Sequence, residues 1–175
     1  MIEDPDHTFP DPREELSFSD LDRLTRQCVE SGLVEAGVEW FRQRLSYGTA
    51  RRMFKNWECA ARLNEEAGDL PASWTCRVRQ WECTRRQRGL DARRKGASLR
   101  NLLAWAQKNG FGGEGRSVLG EGWRHTSMEE SDVLLWEERL GTSEPGRAEE
   151  GGGSLTELQI TLPDELGVEL QQPQE

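Results

Sequence analysis

The sequence has no long run of apolar residues, which argues against a membrane protein. Of its 175 residues, 34% are hydrophobic and 31% are charged. No stretch approaches the ~20 apolar residues that a membrane span needs, and residues 1–6 lack the basic and apolar regions of a signal peptide. We therefore expect an intracellular protein with no membrane contact, in the nucleus of a eukaryotic host and otherwise in the cytoplasm.

Residues suited to metal binding or covalent catalysis are also scarce. The histidines are His7 and His125, and the cysteines are Cys28, Cys59, Cys76 and Cys83. The cysteine spacings of 31, 17 and 7 contain no Cys-x-x-Cys pair, so we expect reduced thiols and no metal site. No nucleophile is accompanied by a base and an orienting group. The sequence therefore predicts neither an enzyme nor a bound cofactor.

Lysine is rare as well, since 20 of the 23 basic residues are arginine, and the bases are unevenly distributed. The net charge is -8 for residues 1–41, +10 for residues 42–108 and -11 for residues 109–175. Such segregation is typical of a polyanion-binding module between acidic arms, but intramolecular charge matching gives the same pattern. The total of -9 conceals a strongly basic centre.

Apolar residues at helical spacing predict an all-α domain of about five helices between residues 17 and 109. The expected helices run from about Ser19 to Gly32, Val34 to Leu45, Thr49 to Gly68, Ser73 to Gly89 and Ser98 to Gly110. The tryptophans assigned to packing are Trp40, Trp57, Trp74, Trp81 and Trp105. The second and third helices are compatible with a helix-turn-helix, although an ordinary helical hairpin has the same pattern.

Two segments of the basic centre resemble each other. Residues 55–62 and 79–86 are identical at four of eight positions and share Trp-Glu-Cys. No third copy follows, so the sequence predicts no array of repeats.

The ends of the chain differ from this centre in composition. Residues 1–16 are expected to be a disordered acidic arm. Residues 110–141 are expected to form a Gly-rich loop, with six glycines in 110–122, followed by one short helix. Residues 142–175 are read as an acidic flexible tail with an isolated strand-like docking segment at 155–170, a weakly ordered tail being the alternative. The residues predicted to bind a protein partner are Leu158, Ile160, Leu162 and Leu166.

The densest basic stretch is residues 85–95, with six bases in eleven residues. Such a stretch binds phosphates by releasing counterions, and it is also typical of a nuclear import signal. With the basic face of the third helix, it supplies the predicted nucleic-acid-binding residues, which are Arg51, Arg52, Lys55, Arg85, Arg86, Arg88, Arg93, Arg94 and Lys95.

The sequence thus predicts a nucleic-acid-binding regulatory protein whose basic helical body contacts DNA or RNA and whose acidic tail docks a protein partner. The alternative is a protein-protein adaptor with no nucleic-acid ligand. A third hypothesis is a viral or phage regulatory or genome-packaging factor.

Overall fold

Helices joined by short turns make up the part of the chain that the computed structural model describes, which is residues 9–141. The helices are α1 (Phe18–Glu30), α2 (Val34–Arg44), α3 (Gly48–Arg51), α4 (Phe54–Glu66), α5 (Leu70–Arg86), α6 (Ala92–Asn109), α7 (Gly112–Gly122) and α8 (Glu130–Gly141). A 3₁₀ turn at Trp123–His125 follows α7. The predicted all-α class is confirmed for residues 9–141, which contain no strand. The predicted tail and its docking segment at 155–170 lie outside them.

The helix boundaries follow from local capping chemistry. Ser17 and Asp20 form a reciprocal capping box that begins α1. The Asp69 and Asp91 carboxylates accept hydrogen bonds from backbone N–H groups at the starts of α5 and α6. Gly110 ends α6 in the left-handed region, with φ 83°. α6 therefore begins at Ala92, six residues before the predicted cap at Ser98.

α5 lies at the centre of the fold and contributes to two apolar cores. Cys76 and Cys83 belong to the first core, which α1, α2 and α4 complete. Trp74, Val78 and Trp81 belong to the second core, which α6, α7 and α8 complete. Because opposite faces of α5 are covered, this helix has apolar residues on both sides rather than one apolar stripe.

The two similar segments lie on neighbouring helices, α4 and α5. Trp57 on α4 and Trp81 on α5 are both buried. In each copy the base pairs with the glutamate three residues later, at 2.7 Å for Lys55 and Glu58 and 3.0 Å for Arg79 and Glu82. The cysteines of both copies, Cys59 and Cys83, belong to the first core, whereas the tryptophans enter different cores, Trp57 the first and Trp81 the second.

Residues 9–16 are packed against the helices, unlike the predicted disordered arm at 1–16. The Trp40 indole N–H donates to the Pro10 carbonyl at 2.7 Å. The buried Arg44 guanidinium donates to the Pro12 and Glu14 carbonyls at 2.9 and 2.7 Å. These bonds satisfy buried donors of α2 with backbone oxygens of the preceding segment, which fixes that segment in place.

Residues 112–122 of the glycine-rich segment form α7, so the prediction of a loop there is wrong. A Cβ on Gly122 would lie 2.9 Å from Trp81, and one on Gly115 would lie 3.1 Å from both Ala106 and Leu140. The missing side chains let α7 approach α5, α6 and α8 closely. α7 and α8 complete the second core, so residues 110–141 belong to the same folded body as residues 17–109.

Candidate nucleic-acid interface

The nine predicted phosphate contacts fall at two separate places in the fold. Arg51, Arg52 and Lys55 lie where α3 meets α4, and the other six lie around the turn between α5 and α6. The two groups differ in whether neighbouring acids neutralise their charges.

Lys55 is neutralised within the fold. Its ammonium group lies 2.9 Å from Asp22 and 2.7 Å from Glu58, and its side chain is only 15% exposed. Burial lowers the pKa of Lys55, but the hydrogen bonds that its ammonium group donates to Glu58 and Asp22 outweigh this effect and leave the pKa raised. A phosphate would have to displace two carboxylates that already hold the charge.

The predicted third helix is divided, which removes the expected helix-turn-helix geometry. α3 ends at Arg51 and α4 begins at Phe54, so Arg51 and Arg52 are not on the same helix as Lys55. α4 contacts α1, α2 and α5, and seven of its thirteen residues are buried. A recognition helix needs a free face to enter a DNA groove, and α4 is covered on three sides.

The second group forms a surface where three elements meet, and we call it the basic surface. It consists of Arg85, Arg86, Arg88, Arg93, Arg94, Lys95 and His125. The first two lie in the last turn of α5, Arg88 lies in the connecting turn, and the next three lie at the start of α6. His125 joins them because the segment after the 3₁₀ turn packs on α6, with the Ser127 N–H donating to the Ala92 carbonyl at 3.1 Å.

The charges of the basic surface act on one another. Burial lowers the pKa of His125, and the nearby positive charges of Arg85 and Lys95 lower it further. Burial and the charge of Arg86 lower the pKa of Arg85, against the opposing effects of Glu82 and Glu121. These mutual effects show that groups from α5, α6 and the 3₁₀ turn share one electrostatic environment.

Carboxylates leave much of this positive charge uncompensated. Within residues 9–141, no ion pair closer than 4.0 Å involves Arg85, Arg86, Arg93, Arg94 or Lys95. Arg77 and Arg79, two turns earlier on α5, are each paired with a glutamate at 2.7 and 3.0 Å. The Arg86 Nη1 atom is buried and has no hydrogen-bond partner in the described part of the chain. Five of the six arginines and lysines of the basic surface therefore have no carboxylate within 4.0 Å among residues 9–141.

The first turn of α6 adds to this imbalance. Arg93, Arg94 and Lys95 occupy positions where the helix dipole favours acids, and the turn contains no acid. The Asp91 carboxylate caps this end of the helix by accepting from the Arg94 backbone N–H at 2.8 Å. Three cations at a helix N-terminus cost stability unless an anion binds there.

Sequence reasoning missed His125, which it treated as ordinary loop composition. His125 is thirty residues from Lys95 along the chain, and no local pattern connects them. Packing of the 3₁₀ turn on α6 brings them together. Arg124 lies beside His125, with its guanidinium 4.9 Å from the ring centroid of Trp123.

Residues 9–141 were also compared with the requirements of metal, thiol and membrane-spanning sites. No group of three or more His, Cys, Asp or Glu side chains among them is arranged to hold a metal ion. All four cysteines are buried with free thiols, and burial raises the pKa of Cys28 to about 11. No helix in this part of the chain is long and apolar enough to cross a membrane.

Comparison with protein-family models, with curated proteins and with solved structures finds no match to this chain.

Proposed function

We propose that this chain is a nucleic-acid-binding regulatory protein whose basic surface contacts phosphates. The observation that carries the proposal is the convergence of α5, α6 and the 3₁₀ turn on one set of bases. Within the described part of the chain, five of these bases form no ion pair within 4.0 Å, namely Arg85, Arg86, Arg93, Arg94 and Lys95. A phosphate backbone would supply the negative charge that the fold itself does not.

The physical basis of binding is the release of counterions from the nucleic acid. Each phosphate that a base neutralises releases condensed counterions, so affinity falls steeply with salt. If all six arginines and lysines of the basic surface contact phosphates, the slope of log affinity against log salt would be roughly -5 for duplex DNA and roughly -4 for a single strand. His125 would contribute when protonated.

The acidic tail gives the proposed protein its second function. Leu158, Ile160, Leu162 and Leu166 are proposed to dock a protein partner, with their alternating pattern adding to an edge of the partner's sheet. In this arrangement the helical body holds the nucleic acid and the tail recruits another component.

The test measures binding of the full chain to labelled duplex DNA and single-stranded RNA at about 50 and about 200 mM salt. The test variant, R88Q/R93Q/R94Q/K95Q, removes four charges from the basic surface. The control variant, R26Q/R62Q/K108Q/R116Q, removes four charges from exposed positions elsewhere. We expect the test variant to lose at least ~10-fold in affinity and ~3 to 4 units of salt slope.

Two results would contradict the proposal. Absence of salt-dependent binding to either nucleic acid would favour the adaptor, in which the same surface meets acidic protein segments. Equal losses in the test and control variants would mean that binding reflects general attraction and is not located at the basic surface.

A further inference from the structure

The acids that could neutralise the basic surface are concentrated outside the described body. Residues 9–141 contain 22 bases and 21 acids, a net charge of +1. Residues 142–175 contain eight acids and one base, a net charge of -7. Within the body, bases such as Arg77 and Arg79 already have their own carboxylates. The strongest charge complement to the basic surface is therefore the tail of the same chain.

The end of α8 lies within reach of the basic surface. Leu140 and Ala106 both approach Gly115 closely, which places the end of α8 beside the second half of α6. From Ala106 back to Arg94 along α6 is twelve residues, or about 18 Å at the rise of a helix. The eight residues from 142 to 149 can span at most about 26–29 Å. Glu149 and every later acid can therefore reach the start of α6.

We propose that the acidic segment 142–175 binds the basic surface of its own chain. This inference rests on the function proposed above, because its consequence is competition with nucleic acid for the same cations. A tethered segment competes at an effective concentration of about 1 mM, so even contacts with a dissociation constant near ~0.1 mM would weaken nucleic-acid binding about 10-fold. The tail thus raises the concentration of nucleic acid that is needed to occupy the basic surface.

The first test detects the contact between the tail and the basic surface in the absence of nucleic acid. NMR measures the pKa of His125 in the full chain. Nearby carboxylates stabilise the protonated imidazole and raise its pKa, so removing them lowers it. The test variant is E149Q/E150Q/E157Q/E165Q. The control, E15Q/E30Q/E35Q/E66Q, makes the same change in net charge at exposed positions of the body. We expect the pKa of His125 to fall in the test variant and to stay constant in the control.

The second test measures affinity for labelled duplex DNA and single-stranded RNA with the same proteins. We expect the test variant to bind about 10-fold more tightly than the control at low salt. The difference should disappear near 1 M salt, where the Debye length is about 3 Å.

The outcomes separate this inference from the proposed function. If the full chain binds nucleic acid with a steep salt dependence, but neither affinity nor the pKa of His125 differs between test and control, the tail contact is wrong and the function stands. If the pKa of His125 falls only in the test variant and no protein binds nucleic acid, the tail contact is supported and the proposed function is wrong.

Discussion

Gly122 is the residue at which close packing of α7 can be tested most directly. A Cβ at this position would lie 2.9 Å from Trp81 Cζ2, and Trp81 is itself buried and unable to move freely. We expect Gly122→Ala to lower the free energy of unfolding by about 1–3 kcal/mol through overpacking. Denaturant unfolding of the full chain measures the change.

Gly120 supplies the matched control for this substitution. It lies on the same helix, and nothing is within 4 Å of the position that its Cβ would occupy. Gly120→Ala should therefore stabilise the protein by about 0.5–1 kcal/mol, because alanine is the better helix former. If both substitutions were stabilising, α7 would not be held against Trp81 as the structure shows.

At the scale of the element, α6 carries bases at both ends, but the helix dipole makes only those in its last turn stabilising. Arg93 opposes the helix dipole in the first turn, whereas Lys108 complements it in the last turn. We expect Arg93→Gln to stabilise the fold by about 0.3–1 kcal/mol at low salt and Lys108→Gln to destabilise it by a similar amount. Thermal unfolding at low and high salt measures both effects, which screening should reduce.

This prediction links stability to function, because Arg93→Gln should also weaken nucleic-acid binding. A residue that costs stability in the free protein and contributes to binding is expected at a functional site. A destabilising effect of Arg93→Gln would show instead that Arg93 has a structural role in α6.

Helices whose ends carry ordinary signals could be predicted from the sequence, and the others could not. The capping residues near Ser17 and the glycines after α1 and α6 gave boundaries close to those observed. α7 was missed because local propensity disfavours five glycines in an eleven-residue helix, whereas the gain from close packing against Trp81 arises only in the folded chain. The bases of residues 85–95 were identified by their density, but the contact with His125 depends on tertiary packing.

At the scale of the whole molecule, α5 contributes buried side chains to both apolar cores. Its Cys76 and Cys83 face the first core, while Trp74 and Trp81 face the second. Loss of either core would expose one side of α5 and weaken its packing against the other. The basic surface lies at the end of α5 and the start of α6, so both cores are needed to hold it in shape.

The four buried thiols allow this coupling to be measured, because all of them belong to the first core. Burial raises the pKa of Cys28 to about 11 and of Cys76 to about 12, so few thiolates are available to react while the protein is folded.

Leu103 is fully buried in the second core, and Leu63 is fully buried in the first. We expect Leu103→Ala to lower the free energy of unfolding by about 3 kcal/mol. The substitution should also accelerate thiol labelling ~100-fold, although Leu103 lies in the second core and all four cysteines lie in the first. Leu63→Ala should accelerate thiol labelling by the same factor for an equal loss in the free energy of unfolding. Acceleration by Leu63→Ala alone would mean that the two cores open independently and that α5 does not couple them.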